Sequence, residues 1–379
     1  MNDPKSLPSL PLLEVLPSRV RRNYRGGALL DIWTGMGTGS DGDRPEDWIA
    51  STVSAVNPGL PPEAGEGLTR VRGPQGKETT LASQIAVSPS HYLGDAHIQQ
   101  HGCELGFLAK LLDSAMRLHV QAHPTSAFAQ AHLASRYGKM ETYVILDVRP
   151  GCDPCLLLGF QRAPSPEEWR RIVVEQDKAA MHRCFDPIPV RVGEVWHVPG
   201  GLPHAIGAGV LMLEVMEPSD WVVRCEFERE GIVVPPEGRF MGKPVDFCMH
   251  IFDYRSYSSD EIARKCRREP RLLHLSSSME ENQLIGPEQT GCFAVRSLHV
   301  SGRSRISGHG KLLLLLATEG EGYIETKECE IPLRRASRWI VPAATEEVVL
   351  APRPGTSLDV IACFPGASET PLTVSTQLL

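Results

Sequence analysis

The stretch Gly193-Glu-Val-Trp-His-Val-Pro199-Gly-Gly201-Leu-Pro-His204 constrains this chain more than any other. Its apolar run is strand-sized, and Pro199 ends it, because proline has no N–H to give to a sheet ladder. The two glycines then supply a tight reversal. The chain therefore re-enters on His204, in the pattern G-x5-P-x-G-x2-H. His197 competes with His204 as a candidate ligand, but its position in the strand before the turn marks it as a packing residue.

Two further segments carry side chains that suit the same chemistry. In Leu118-His-Val-Gln121-Ala-His123-Pro124, residues two apart on a strand point to one face. Gln121 and His123 thus share a side, with Val120 and Ala122 on the other. In Gly138-Lys139-Met-Glu141-Thr-Tyr143, the same alternation groups Lys139, Glu141 and Tyr143. Two imidazoles, one carboxylate and one amide oxygen form a donor set for a borderline divalent ion such as zinc. With one negative ligand the ion keeps net positive charge and polarises a carbonyl or hydroxyl oxygen.

Other patterns fail their context. Gly37-Thr-Gly39-Ser-Asp-Gly42 matches a dinucleotide fingerprint in spacing, yet it runs into Asp-Arg-Pro-Glu-Asp instead of an apolar helix and reads as a loop. Cys152-Asp-Pro-Cys155 has no second ligand pair for a zinc site, and ten scattered cysteines do not make a disulfide framework. A net charge of −7 opposes nucleic-acid binding. The longest apolar run, Leu312–Ala317, is too short for a membrane span. The start, Met1–Leu16, lacks the shape of a secretory signal. These features predict a cytoplasmic protein with neither a nucleic-acid nor a membrane partner; they leave monomer and homodimer open.

With 379 residues, more than one core is expected. The patterning predicts a mainly β protein with helical insertions at about 79–114, 165–183 and 246–268. Strand-like runs are expected at Ala28–Trp33, Trp48–Val53, Met116–Val120, Val190–Val198 and Gly209–Val215. Beyond about residue 270 short strands and turns dominate, including Lys311–Ala317 and Gly322–Thr326. The predicted division is 1–268, carrying the chemistry, and 269–379, a second β domain.

At these motifs the chain resembles the type I mannose-6-phosphate isomerases of the cupin superfamily. The family's Q-x-H-P is matched by Gln121-Ala-His123-Pro124, and its G-K-x-E by Gly138-Lys139-Met-Glu141. Its P-A-G-x-x-H-A-I-G turn is matched by Pro199–Gly207 with Gly200 in place of alanine. Leu213-Glu214-Val-Met-Glu-Pro-Ser219-Asp220-Trp-Val-Val-Arg224 resembles its E-x4-S-D-x3-R segment, Phe107-Leu-Ala-Lys110 its apolar-Lys segment, and Pro45-Glu-Asp-Trp48-Ile-Ala-Ser51 its E-x-W-x-x-S element. The resemblance implies two cupin-type β-sandwich or jelly-roll barrels, the second degenerate, since Pro342-Ala343-Ala344 repeats the turn without its histidine.

The resemblance also implies Gln121, His123, Glu141 and His204 as ligands of one zinc, or another divalent ion, per chain. The implied reaction interconverts mannose 6-phosphate and fructose 6-phosphate through an enediol. Arg224 is the expected group for enediolate charge and substrate anchoring, with Lys139 a second cation. Glu214 serves either as the acid/base group or to hold Arg224. Lys110 is an expected phosphate contact, and His119 stands at the substrate where the family commonly has a small hydroxyl residue. Two alternatives remain open: an isomerase or epimerase of a different or non-phosphorylated sugar, and a sugar-binding or regulatory protein without turnover.

Overall fold

The computed structural model describes residues 12–73, 76–366 and 368–374. The N-terminal reading therefore falls mostly outside them, at 1–11. The described chain is mainly antiparallel β with helical insertions. It forms two units, one of Ser18–Leu68 with Phe107–Glu269, the other of Met1–Pro17, Thr69–Gly106 and Pro270–Leu379. A single cut near 268 gives way to this interleaved division. The strand Leu13–Val15 pairs with both Arg338–Val341 and Arg70–Arg72, which carries two N-terminal segments into the second unit.

The first unit is a β-sandwich. Its seven-stranded sheet runs in the order Arg267–Arg268, Val195–Val198, Glu141–Val148, Val210–Met216, Leu108–Ser114, Glu46–Ala50 and Arg19–Val20. The five-stranded sheet runs Ile188–Pro189, Cys155–Leu158, His204–Ile206, Gln121–Ala122 and Val223–Arg224. Leu112, Tyr143, Ile145 and Met212 of one sheet share a buried cluster with Leu156, Leu158 and Ile206 of the other. Val120, Ala122, Ala205 and Val223 instead pack with Trp169, Ile172, Val173 and Met181 of the helices Pro166–Glu175 and Lys178–Arg183. The 165–183 insertion is thus helical, started by Ser165 accepting from the Glu168 N–H.

The second unit holds a twelve-stranded sheet that curls around one apolar cluster, including Leu298, Leu313, Leu315, Ile324, Leu350 and Phe364. The runs expected at Lys311–Ala317 and Gly322–Thr326 fall mostly within one strand, Leu313–Glu325, whose register shifts between Ala317 and Glu319. That bulge explains why the sequence reads as two strands.

Other elements also differ from expectation. Ala28–Thr34 is a helix whose first N–H groups are taken by the buried carboxylate of Asp113, at 2.7 Å to Gly27 and 2.9 Å to Leu29. The 79–114 insertion is helical only as Leu81–Val87, Pro89–Leu93 and Asp95–His101; Leu108–Ser114 is a strand buried along its whole length. Burial on both faces removes the alternation that would reveal it. Residues 116–120 do not form a strand, although the Leu118 N–H donates to the Ile206 carbonyl at 2.9 Å and the Val120 carbonyl accepts from the Cys225 N–H at 2.8 Å; only Gln121–Ala122 joins the ladder. The 246–268 region is two short helices, Val245–Met249 and Ser259–Cys266, the latter closed by a Ser258/Glu261 capping box.

Candidate metal centre and active site

The Pro199 turn positions the first donor as expected. Gly201 has φ +88, and its N–H donates to the His123 carbonyl at 2.7 Å, so the turn is tied to the second histidine. Gly200 packs so closely that a Cβ would stand 2.6 Å from the Pro124 carbonyl oxygen. This close approach accounts for glycine where the family pattern has alanine. His204 then opens its strand directly opposite Gln121, and Glu141 opens Glu141–Val148 opposite Val198.

These placements bring three buried groups together. His123 Nε2 lies 3.1 Å from Glu141 Oε1, and His204 Nε2 lies 3.4 Å from Glu141 Oε2. The three ligand atoms fall within 4.8 Å of one another. His123 Nδ1 meets the Trp221 carbonyl at 2.7 Å and His204 Nδ1 the Leu202 carbonyl at 2.9 Å. A carbonyl only accepts, so each Nδ1 carries a proton, and in a neutral ring the Nε2 then turns a lone pair toward the carboxylate. Burial, with Lys139 nearby, pushes the His123 pKa down to about 4, which keeps that ring neutral near pH 7. Its Nε2 is buried without a hydrogen-bond partner. Three converging lone-pair donors repel one another unless a cation sits among them, so the donor set fits a divalent metal. The amide of Gln121 lies 3.5 Å from His204 Nε2, and turning it presents its oxygen as a fourth donor. The triad is the one such His/Cys/Asp/Glu group among the described residues. Cys152 and Cys155 take no part in it.

A cationic layer surrounds Glu141. Lys139 Nζ stands 3.2 Å from Oε1, and the Tyr143 hydroxyl donates to Oε2 at 2.5 Å. Burial alone would raise the Glu141 pKa; His123, once protonated in acid, and Lys139 hold it well below the usual carboxylate range.

Beside this lies a second buried network. Lys110 bridges Glu46 at 3.0 Å and Glu214 at 3.1 Å. Glu46 also accepts from Tyr24 OH at 2.6 Å, Arg22 Nε at 2.8 Å and Trp48 Nε1 at 2.8 Å. The Lys110 ammonium is therefore committed to two carboxylates, a geometry for tuning charge instead of gripping phosphate. Glu214 does not hold Arg224; its ion partner is Lys110. Burial pushes the Glu214 carboxyl up, to about 8, and Lys110 only partly offsets this.

Arg224 pairs opposite Gln121 and lines the same pocket. Its Nη1 donates to the Gly238 carbonyl at 2.7 Å, and no carboxylate stands within ion-pair distance among the described residues. Burial pushes its pKa down to about 10. His119 lines the pocket as well, with Nε2 3.4 Å from the Ile232 carbonyl and a pKa lowered by burial to about 4. His197 stays away from the pocket, in the strand opposite Thr142. Sequence reasoning missed Arg22, Tyr24, Glu46 and Asp220 as lining residues. Glu46 sat within the quoted E-x-W-x-x-S element, the one signal that pointed to it.

No family model matches the chain. It is 27% identical over 236 residues to the mannose-6-phosphate isomerase of Streptococcus mutans serotype c, a match spanning 62% of this chain and 67% of that one. It is 24% identical over 253 residues to the mannose-6-phosphate isomerase ManA of Bacillus subtilis, spanning 66% and 74%. Its fold matches the crystal structure of mannose 6-phosphate isomerase from Bacillus subtilis with a TM-score of 0.69 at 18% identity, covering 93% of this chain and 99% of that one. A histidine-to-alanine mutant of phosphomannose isomerase from Salmonella typhimurium matches with a TM-score of 0.68 at 17% identity, over 94% and 99%.

Proposed function

We propose that the chain is a member of the mannose-6-phosphate isomerase family, which it resembles in sequence and fold, and that it interconverts mannose 6-phosphate and fructose 6-phosphate with one bound divalent ion, zinc by preference. The observation that carries this reading is the convergence of the His123 and His204 Nε2 atoms on Glu141, beside a buried Glu214 whose carboxyl is raised toward neutral pH. His123, Glu141, His204 and the Gln121 amide oxygen are the ligands. A bound ion would supply Lewis-acid stabilisation of the substrate oxygens.

The chain's own residues supply the rest. Aldose–ketose exchange moves a proton between C1 and C2 through an enediol. A carboxyl that titrates near neutral pH can take that proton and return it. Glu214 fills that role, with Lys110 holding its charge state and Glu46 holding Lys110. Arg224 and Lys139 stabilise the developing oxyanion, and His119 contacts the substrate as a neutral ring. The ten cysteines form no disulfide among the described residues, which suits a reducing, cytoplasmic setting.

A coupled assay for fructose 6-phosphate, run on protein stripped of metal and then reloaded, tests the reading. Turnover that appears only on reloading supports it. Reloaded protein inert on mannose 6-phosphate but active on another aldose would move the substrate and keep the chemistry.

A further inference from the structure

The polar pocket at the metal triad encloses only about 40 Å³, far below the several hundred typical of ligand sites. A second cavity of about 460 Å³ adjoins it, and Arg22, Asn23, Tyr24 and Arg224 line both. All the residues of this chamber lie in the first unit. Its far walls are aliphatic: Val56, Pro58 and Leu60 on one side, Val233, Val234 and Pro235 on the other. The walls approach closely, since a Cβ on Gly59 would stand 3.0 Å from Pro235.

Two features mark this chamber as built for a ligand. Val56, Leu60 and Val233 are 59%, 43% and 60% exposed, and they are three of the ten large hydrophobics left exposed in the described chain. Scattered single exposures are ordinary, but three around one cavity form a patch. At its junction with the polar pocket stands Arg224, which has no carboxylate within ion-pair distance among the described residues, and Arg22 and Arg25 line the chamber too, outnumbering its one carboxylate, Asp43. An anion beside aliphatic walls is the chemistry this combination recognises.

We propose that the chamber is a subsite for phosphate monoesters that carry an apolar group, with the phosphate at Arg224 and Arg25 and the apolar group against Val56, Leu60 and Val233. The inference rests on the isomerase reading only for the direction in which substrate enters. It makes the walls a binding surface apart from the reacting carbons: simple alkyl or aryl phosphates inhibit by filling the chamber.

Calorimetric titration of the metal-loaded protein with inorganic, methyl, n-butyl and phenyl phosphate tests this directly. Full burial of a methylene is worth about fourfold in affinity. Butyl and phenyl phosphate are therefore expected to bind about tenfold or more tightly than inorganic phosphate, with partial burial allowed for. The triple variant Val56→Ser, Leu60→Ser, Val233→Ser should lose that gain while inorganic phosphate binds as before. These positions are exposed, so the variant keeps the core. Equal affinity across the series, or a gain that survives in the variant, overturns the proposal. Mannose 6-phosphate turnover, assayed on the same samples, separates the two ideas. Turnover with no alkyl gain sinks the subsite alone, whereas an alkyl gain with no turnover sinks the isomerase reading alone.

Discussion

His123 turns its Nε2 lone pair to Glu141 Oε1 at 3.1 Å while its Nδ1 proton is held by the Trp221 carbonyl at 2.7 Å. The pair is repulsive as it stands, and a cation between the two reverses that. Metal analysis should therefore find about one divalent ion per chain. His204→Ala should lose it without unfolding, because the sandwich has its own core. Ion at a hundredfold excess over its dissociation constant should stabilise the parent by about 2.7 kcal/mol and leave the mutant's Tm nearly unmoved. In the second unit, His299 is paired with Asp359 and His309 with the Pro371 carbonyl. Changing either to alanine should leave the metal content at the parent value, and an ion lost with either would refute the assignment.

Gly200 gives a second test of the same centre. An added Cβ would meet the Pro124 carbonyl oxygen at 2.6 Å and the Thr125 Cα at 2.8 Å, both backbone atoms that cannot rotate away. Gly200→Ala should cost about 1–3 kcal/mol, the usual range for overpacking. It should also weaken metal binding, because the segment it displaces follows His123. Chemical denaturation with and without metal measures both effects. An alanine variant of unchanged stability would mean that the turn adapts as it does in the family pattern.

Much of the centre was legible because its signals are local. Pro199, Gly201 and His204 fix a turn within a few residues, and two-residue alternation groups Lys139 with Glu141. What could not be read was held by partners far along the chain. Glu46 gains its meaning from Lys110, 64 residues away, and the helix Ala28–Thr34 from Asp113, whose carboxylate lies 84 residues beyond Leu29. A strand buried on both faces, such as Leu108–Ser114, looks like a helix because it lacks polar alternation. The N-terminal segments of the second unit were missed because only strand pairing, at Leu13 with Ile340, assigns them.

Glu214 predicts a pH dependence with a definite sign. Its carboxyl is raised to about 8 in the folded protein, chiefly by burial, against an unfolded value of 4.5. Between these values the native state binds more protons than the unfolded state, so stability falls as pH rises through that window. Glu214→Gln should flatten the decline between pH 5 and pH 8 and lower kcat, with metal content unchanged. Denaturation curves across that range check the first outcome. A variant whose stability declines as steeply as the parent's would show that Glu214 is ionised throughout.

Arg224 separates charge stabilisation from anchoring. Its guanidinium reaches no carboxylate and donates to the Gly238 carbonyl, so removing it orphans no buried negative charge. The fold should survive Arg224→Ala, and so should the metal, because the backbone N–H bond to Arg239 keeps the strand beside Gln121 in place. If the side chain stabilises charge that develops only in the transition state, kcat should fall on the order of 10²–10³-fold. If it holds only the phosphate, KM should rise while kcat stays near the parent value. We expect the fall in kcat, accompanied by a smaller rise in KM from the shared contact at the chamber mouth. Steady-state kinetics on metal-replete protein, with Tm measured alongside, decides between them. A kcat within about threefold of the parent would remove Arg224 from the chemical step.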